Sequence, residues 1–119
     1  MSEVGKVAPK ITIIGAGSLV FTPHILADIA MSKDLKGVDI CLMDIDEERL
    51  NLMAKLSNRI ISERKADMTV SQSTDRTEAL EKADYVVVSI SVGTDIEKRD
   101  IDIPAKYGYF APVGDTTGP

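Results

Sequence analysis

The sequence predicts an α/β fold, a doubly wound parallel sheet with helices on both faces, and three observations predict it. Apolar strand-like runs alternate with segments of helical period between residues 10 and 107. The first run passes straight into a Gly15-Ala16-Gly17 turn that opens a helix. The last, Tyr85-Val86-Val87-Val88-Ser89-Ile90-Ser91, is a near-continuous β-branched run, the composition of a strand covered on both faces of a parallel sheet.

The elements follow in order. Lys10 to Ile14 is a short apolar strand. The helix after it carries Ile25, Leu26 and Ile29 at helical spacing, and Pro23 within it suggests that Thr22 is a second N-cap with Pro23 in the first helical position. A second strand spans Val38 to Asp44. Asp46 then caps the clearest helix of the chain, with Glu47 and Glu48 in its first turn and Arg64 and Lys65 in its last, as the helix dipole favours. Leu50, Met53, Ala54, Ser57, Ile60 and Ile61 mark its inner face. A third strand covers Met68 to Ser71, and Asp75-Arg76-Thr77-Glu78 is a capping box for a short helix through Ala83. Beyond Gly93, Asp95 to Tyr107 has helical character that Pro104 must kink or end. The final stretch from Gly108 is turn-rich and reads as a loop cut off in mid-course.

Composition narrows the function. With 119 residues, 44% hydrophobic and 28% charged, the chain has the length and apolar content of one globular domain. A net charge of −5 without any basic stripe argues against nucleic acid, whose phosphates call for clustered Lys and Arg. No apolar run approaches the roughly 20 residues of a membrane span, so no membrane partner is expected. Residues 1–9 lack an apolar signal core and read as a disordered lead-in, leaving 10–119 as the domain. The lone Cys41 forms no internal disulfide, fits a reducing cytoplasm, and reads as a small buried hydrophobe. With the only histidine, His24, placed in a different element, the pair makes no metal site.

The chemistry concentrates at strand ends. Gly15, Ala16, Gly17 and Ser18 occupy the strand-to-helix junction where a Rossmann-type domain binds a dinucleotide. Gly15 allows the tight turn, Gly17 lets backbone approach a pyrophosphate, and the helix start offers free N–H groups with partial positive charge. Val20 stands where the fingerprint has a third glycine, a position that serves helix–strand packing. Asp44, at the end of the second strand and 27 residues beyond Gly17 (44 − 17), is placed to accept hydrogen bonds from the adenosine ribose hydroxyls. The usual interval is about 20, and the loop from Lys33 to Gly37 supplies the excess. Asp46, Glu47 and Glu48 would repel a 2′-phosphate, so NAD is expected rather than NADP. Ser91 and Gly93, at the carboxyl end of the fourth strand, are expected beside the nicotinamide ribose.

Three segments together resemble glycoside hydrolase family 4: Ile13-Ile14-Gly15-Ala16-Gly17-Ser18, Leu42-Met43-Asp44-Ile45-Asp46-Glu47-Glu48-Arg49-Leu50, and Val113-Gly114-Asp115-Thr116-Thr117-Gly118-Pro119. The resemblance runs from about residue 10 to the end, and the last segment is similar to the α-glycosidase branch: α-galactosidase, α-glucosidase, α-galacturonidase or α-glucuronidase. It implies hydrolysis by transient oxidation at C3, elimination, addition of water and re-reduction, with NAD as the hydride carrier. It also implies a divalent metal, usually manganese, acting as a Lewis acid. The family's Cys–His metal segment and acid/base residues lie downstream of the part resembled here, so the chain alone is expected to be inactive. By the same resemblance Arg99 and Asp115 approach the glycoside substrate, and the complete enzyme is expected to be a homo-oligomer.

Two other readings compete. The first two segments also suit the NAD-binding domain of a lactate/malate-type 2-hydroxyacid dehydrogenase, in which Arg99 would belong to a mobile loop, but that pattern has no place for Gly114-Asp115-Thr116-Thr117-Gly118-Pro119. A nucleotide-sensing module without catalysis is the third.

Overall fold

The computed structural model describes residues 8–90 and 95–110, without the side chains of Ile96 and Glu97. Two compact units divide the chain, Met1–Ser89 and Ile90–Pro119. In the first, β1 (Lys10–Ile14), α1 (Phe21–Met31), β2 (Val38–Met43), α2 (Glu47–Arg64), β3 (Met68–Ser73), α3 (Arg76–Leu80) and β4 (Tyr85–Val88) follow in sequence. The strands form one sheet in the order β3-β2-β1-β4, every neighbouring pair parallel. The doubly wound expectation holds, and the order is that of the first four strands of a Rossmann sheet.

Alternation along the strands decides which side of the sheet each residue serves. Ile11, Ile13, Val38, Ile40, Leu42 and Met68 form the larger core with Leu26 of α1 and with Leu50 and Met53 of α2. Ile13, Val38, Ile40 and Leu42 are wholly excluded from solvent. The residues between them turn the other way, where Cys41 and Met43 pack against Ala79 of α3, with Ile14 partly buried alongside. Thr12 also faces that side and donates from its hydroxyl to the Ala79 carbonyl at 2.6 Å, tying α3 to the centre of the sheet. The lone cysteine is buried and free, as its sequence context implied.

The start of α2 is as expected: the Asp46 side chain accepts from the Arg49 amide, and Lys65 closes the helix in the left-handed conformation (φ 51°). Its inner face buries Leu50, Met53 and Ser57. At α3, the Asp75 side chain accepts from the Thr77 and Glu78 amides. The return arm of the capping box runs through a third residue, because Ser73 Oγ takes the Asp75 amide and donates to Glu78 Oε2 at 2.8 Å. The third strand accordingly extends two residues past Ser71, and α3 stops at Leu80, short of Ala83.

Three expectations need correction. Thr22 is not an N-cap: α1 begins at Phe21, Val20 stands at the cap without a side-chain bond, and Pro23 is the third helical residue. The first-turn N–H groups of a helix have no internal partner, so Pro23 removes nothing there. The second strand ends at Met43, one residue before Asp44, which leaves the pleat to bind backbone. The fourth strand ends at Val88 and is not covered on both faces. Among the described residues β1 is the one strand beside β4, and Tyr85, Val86 and Val88 are 63%, 47% and 60% exposed.

In the second unit α4 (Asp95–Ala105) contains Pro104 near its end. The helix ends one residue later, at Ala105.

Candidate functional site

The carboxyl ends of β1 and β4 are where the winding reverses, since β1 is followed in the sheet by β2 on one side and by β4 on the other. Ligands of open α/β sheets bind in the crevice outside such a reversal. The Ser89 amide donates to the Ile14 carbonyl at 2.8 Å, so the chain leaving β4 stays beside the turn that leaves β1.

That turn is built by the neighbouring strand. Gly15, at φ 86°, takes a conformation that side chains other than glycine's rarely adopt. It lets the amides of both Gly15 and Ala16 donate to the Met43 carbonyl, at 2.9 and 3.0 Å. The Gly17 amide donates to Asp44 Oδ2 at 2.8 Å, and the Ser18 amide donates back to the Gly15 carbonyl at 3.2 Å. All four amides are therefore taken up by bonds within the protein. Ala16 is fully buried, so this part of the turn is scaffold.

The next stretch of backbone is different. Among the described residues no partner is found for the amides of Leu19, Val20 and Thr22, while the Phe21 amide donates to Ser18 Oγ at 3.2 Å. No acidic residue lies in the first turn of α1, and its cap residue Val20 makes no side-chain bond, in contrast to Asp46 at α2. The positive end of this helix dipole is uncompensated and carries open N–H groups, an arrangement that favours an anion.

Asp44 joins the two strands' contributions. Its Oδ2 holds Gly17, and its Oδ1 accepts from the Asp46 amide at 2.9 Å, so the carboxylate is fixed before any ligand arrives. Each oxygen retains a lone pair for a further donor. Gly17 is required for a reason that sequence reasoning missed. A Cβ there would lie 2.7 Å from Asp44 Oδ2 and 3.0 Å from the Arg49 Cβ, a collision with protein atoms rather than with a bound phosphate.

Gly15, Ala16, Gly17, Ser18 and Asp44 therefore come together at one end of the sheet. Arg99 is an exposed residue of α4, in the other unit. Ser91, Gly93 and Asp115 lie outside the described residues. His24 is exposed on α1. Arg49, which borders the turn, had no role assigned from sequence, and the Thr22 hydroxyl, expected at a cap, is instead buried with no hydrogen-bond partner among the described residues. No group of three or more His, Cys, Asp or Glu able to hold a metal occurs among the described residues. No helix among them is long and apolar enough to cross a membrane.

The parallel 3-2-1-4 sheet with a glycine turn at its reversal defines a Rossmann-type α/β domain. The chain belongs to family 4 of the glycosyl hydrolases, whose family description matches residues 10–119. It is 39% identical over 108 residues to an alpha-galactosidase of Rhizobium meliloti, covering 90% of this chain and 22% of that protein. It is 37% identical over 114 residues to an alpha-glucosidase of Erwinia rhapontici, covering 94% and 25%. The chain thus spans about a quarter of the length of these relatives. Among solved structures, the 6-phospho-beta glucosidase of Thermotoga maritima with NAD and glucose-6-phosphate superposes with a TM-score of 0.70 at 28% identity, covering 87% of this chain and 24% of that one. A 6-phospho-alpha-glucosidase from gut microorganisms, in complex with NAD and Mn2+, gives 0.72 at 25% identity, covering 87% and 24%. A malate dehydrogenase of Cryptosporidium parvum, at 0.61 and 24% identity, shares the fold.

Proposed function

We propose that residues 10–119 are the NAD-binding part of a family 4 glycosidase that cleaves α-glycosidic bonds. Residues 1–9 are a lead-in, and the catalytic domain is a separate part of the enzyme. The observation that carries this reading is the bond from the Gly17 amide to Asp44 at the sheet's reversal. It places a fixed carboxylate beside a helix start with open amides.

A dinucleotide fits these residues. Asp44 accepts from the adenosine ribose hydroxyls, and the amides of Leu19, Val20 and Thr22 face the pyrophosphate. Gly15, Ala16, Gly17 and Ser18 hold both in place. Ser91 and Gly93 are assigned to the nicotinamide ribose, and Arg99 and Asp115 to the sugar. When bound, NAD supplies a reversible hydride acceptor for the transient oxidation at C3. The related glycosidases solved with NAD support the cofactor, and the alpha-galactosidase and alpha-glucosidase relatives support the α-branch. The dehydrogenase alternative is left with a likeness of fold, whereas the family match spans 10–119.

Manganese does not fit here, because the described residues offer no donor set, and no step is assigned to it. The complete enzyme is taken to be a cytoplasmic homo-oligomer acting on a small glycoside.

The test is a calorimetric titration of this chain with NAD and NADP, beside thermal melting with NAD or with manganese. NAD should bind more tightly than NADP and raise the melting temperature by mass action, while manganese alone should leave it almost unchanged. Equal affinity for the two dinucleotides, or strong stabilisation by manganese without NAD, would overturn the assignment.

A further inference from the structure

Arg49 breaks the local rule for its position. It is the third residue of α2, where the helix dipole favours anions, and the two residues before it, Glu47 and Glu48, obey that preference. No strong local contact repays the departure. Its Nε lies 3.5 Å from Asp46 Oδ2, and the two side chains are 65% and 47% exposed, the kind of surface pair that adds little to stability. A residue that violates local preference without local compensation points to function.

Its placement says which function. The Arg49 Cβ would lie 3.0 Å from a Cβ on Gly17, so the stem borders the glycine turn on the side of Asp44. The side chain is carried by a helix whose start Asp46 fixes, accepting from the Arg49 amide at 3.1 Å. Three further carboxylates, Asp44, Glu47 and Glu48, stand within five residues of it in sequence.

We infer that Arg49 is a further dinucleotide-binding residue, meeting the adenosine-ribose side of the ligand, and that its pairing with Asp46 sets the preference for NAD over NADP. This rests on the NAD-binding reading above. Paired, the guanidinium is offset, and a 2′-phosphate arriving at Asp44 meets net negative charge. Released from Asp46, the planar fork is free to take that phosphate with two hydrogen bonds, a geometry to which Arg is suited and Lys is not.

The discriminating variant is Asp46→Asn, since Asn caps a helix as well as Asp does while carrying no charge. Calorimetric titrations with NAD and NADP at one fixed ionic strength would read the ratio of the two affinities. The expected result is a shift toward NADP of about tenfold, the scale of one charge-assisted contact to phosphate. Arg49→Ala in the Asp46→Asn background should cancel the shift, and Arg49→Lys there should recover part of it. A shift that survives Arg49→Ala would show that removing negative charge is sufficient, and would overturn the inference. So would no shift in Asp46→Asn. Melting curves without ligand identify any variant that fails to fold, and in that case Asp46→Ser, another good cap, replaces it. Failure of the unaltered chain to bind NAD would instead overturn the underlying reading, and the inference with it.

Discussion

Asp44 holds the Gly17 amide at 2.8 Å across 27 residues of chain. One carboxylate thereby links the end of β2 to the turn after β1, and it does so from a position one residue outside the strand. The same oxygen leaves no room for a side chain at residue 17. The turn and the acidic residue are one unit, and substitutions at either should be read as affecting both.

Asp44→Ala should therefore act twice. It removes the acceptor assigned to the ribose, narrowing the preference for NAD over NADP in titration. It also leaves the Gly17 amide, which is part-buried, without a partner, at a cost of about 1–3 kcal/mol in urea denaturation. An undiminished NAD preference would remove Asp44 from the site.

Gly17→Ala should lower stability by about 1–3 kcal/mol, because its Cβ must displace either the carboxylate or the base of Arg49. Chemical denaturation without ligand measures this directly. If stability were unchanged and only NAD binding lost, the glycine would be serving the ligand and not the protein.

Two buried threonines should respond in opposite directions to the same change. Thr12→Val removes a buried hydroxyl that donates to the Ala79 carbonyl and should cost about 1–2 kcal/mol. Thr22→Val removes a buried hydroxyl with no partner among the described residues and should be neutral or stabilising by about 1 kcal/mol. Paired denaturation curves check both, and a large loss at Thr22 would mean that its hydroxyl has a role in holding α1.

β4 should govern association. Val88 is 60% exposed on a strand that is an edge of the sheet among the described residues, where β-branched residues invite pairing with another chain. Val88→Lys should reduce concentration-dependent light scattering with little change in melting temperature. Equal scattering by the variant would place the sticky surface elsewhere.

Much of this was legible in the residues because it is local. Asp46 before two glutamates marks the start of α2, and the spacing of Leu50, Met53 and Ser57 marks its inner face. The β-branched run located β4, but composition reports what a strand can pack against and not which residues supply the cover, and among the described residues Tyr85, Val86 and Val88 stay exposed. The reason for Gly17 was not legible, because the atoms it avoids come from Asp44 and Arg49, far along the chain. The Ser73 arm at α3 escaped for a related reason: it lies in the preceding strand, outside the four-residue box. At α1, Pro23 by itself suggests a helix start at that residue, whereas a proline is equally free in the third position, where it stands.

The central place of β1 has a consequence for how the domain assembles. Ile11 pairs with Ile40 on one side and with Tyr85, 74 residues later (85 − 11), on the other. Closing the longer loop costs more chain entropy, by about 0.6 kcal/mol for each doubling of length, and non-local pairing is slow. β1, β2 and β3 are positioned to zip together first, and β4 to dock last onto a sheet already formed. Pulsed hydrogen exchange during refolding should then protect the β2 amides that face β1 and β3 before the Ser89 amide, which closes on Ile14 at the rim of the site. The crevice at the carboxyl ends of β1 and β4 would thus be the last part of the domain to acquire its shape and the first to lose it.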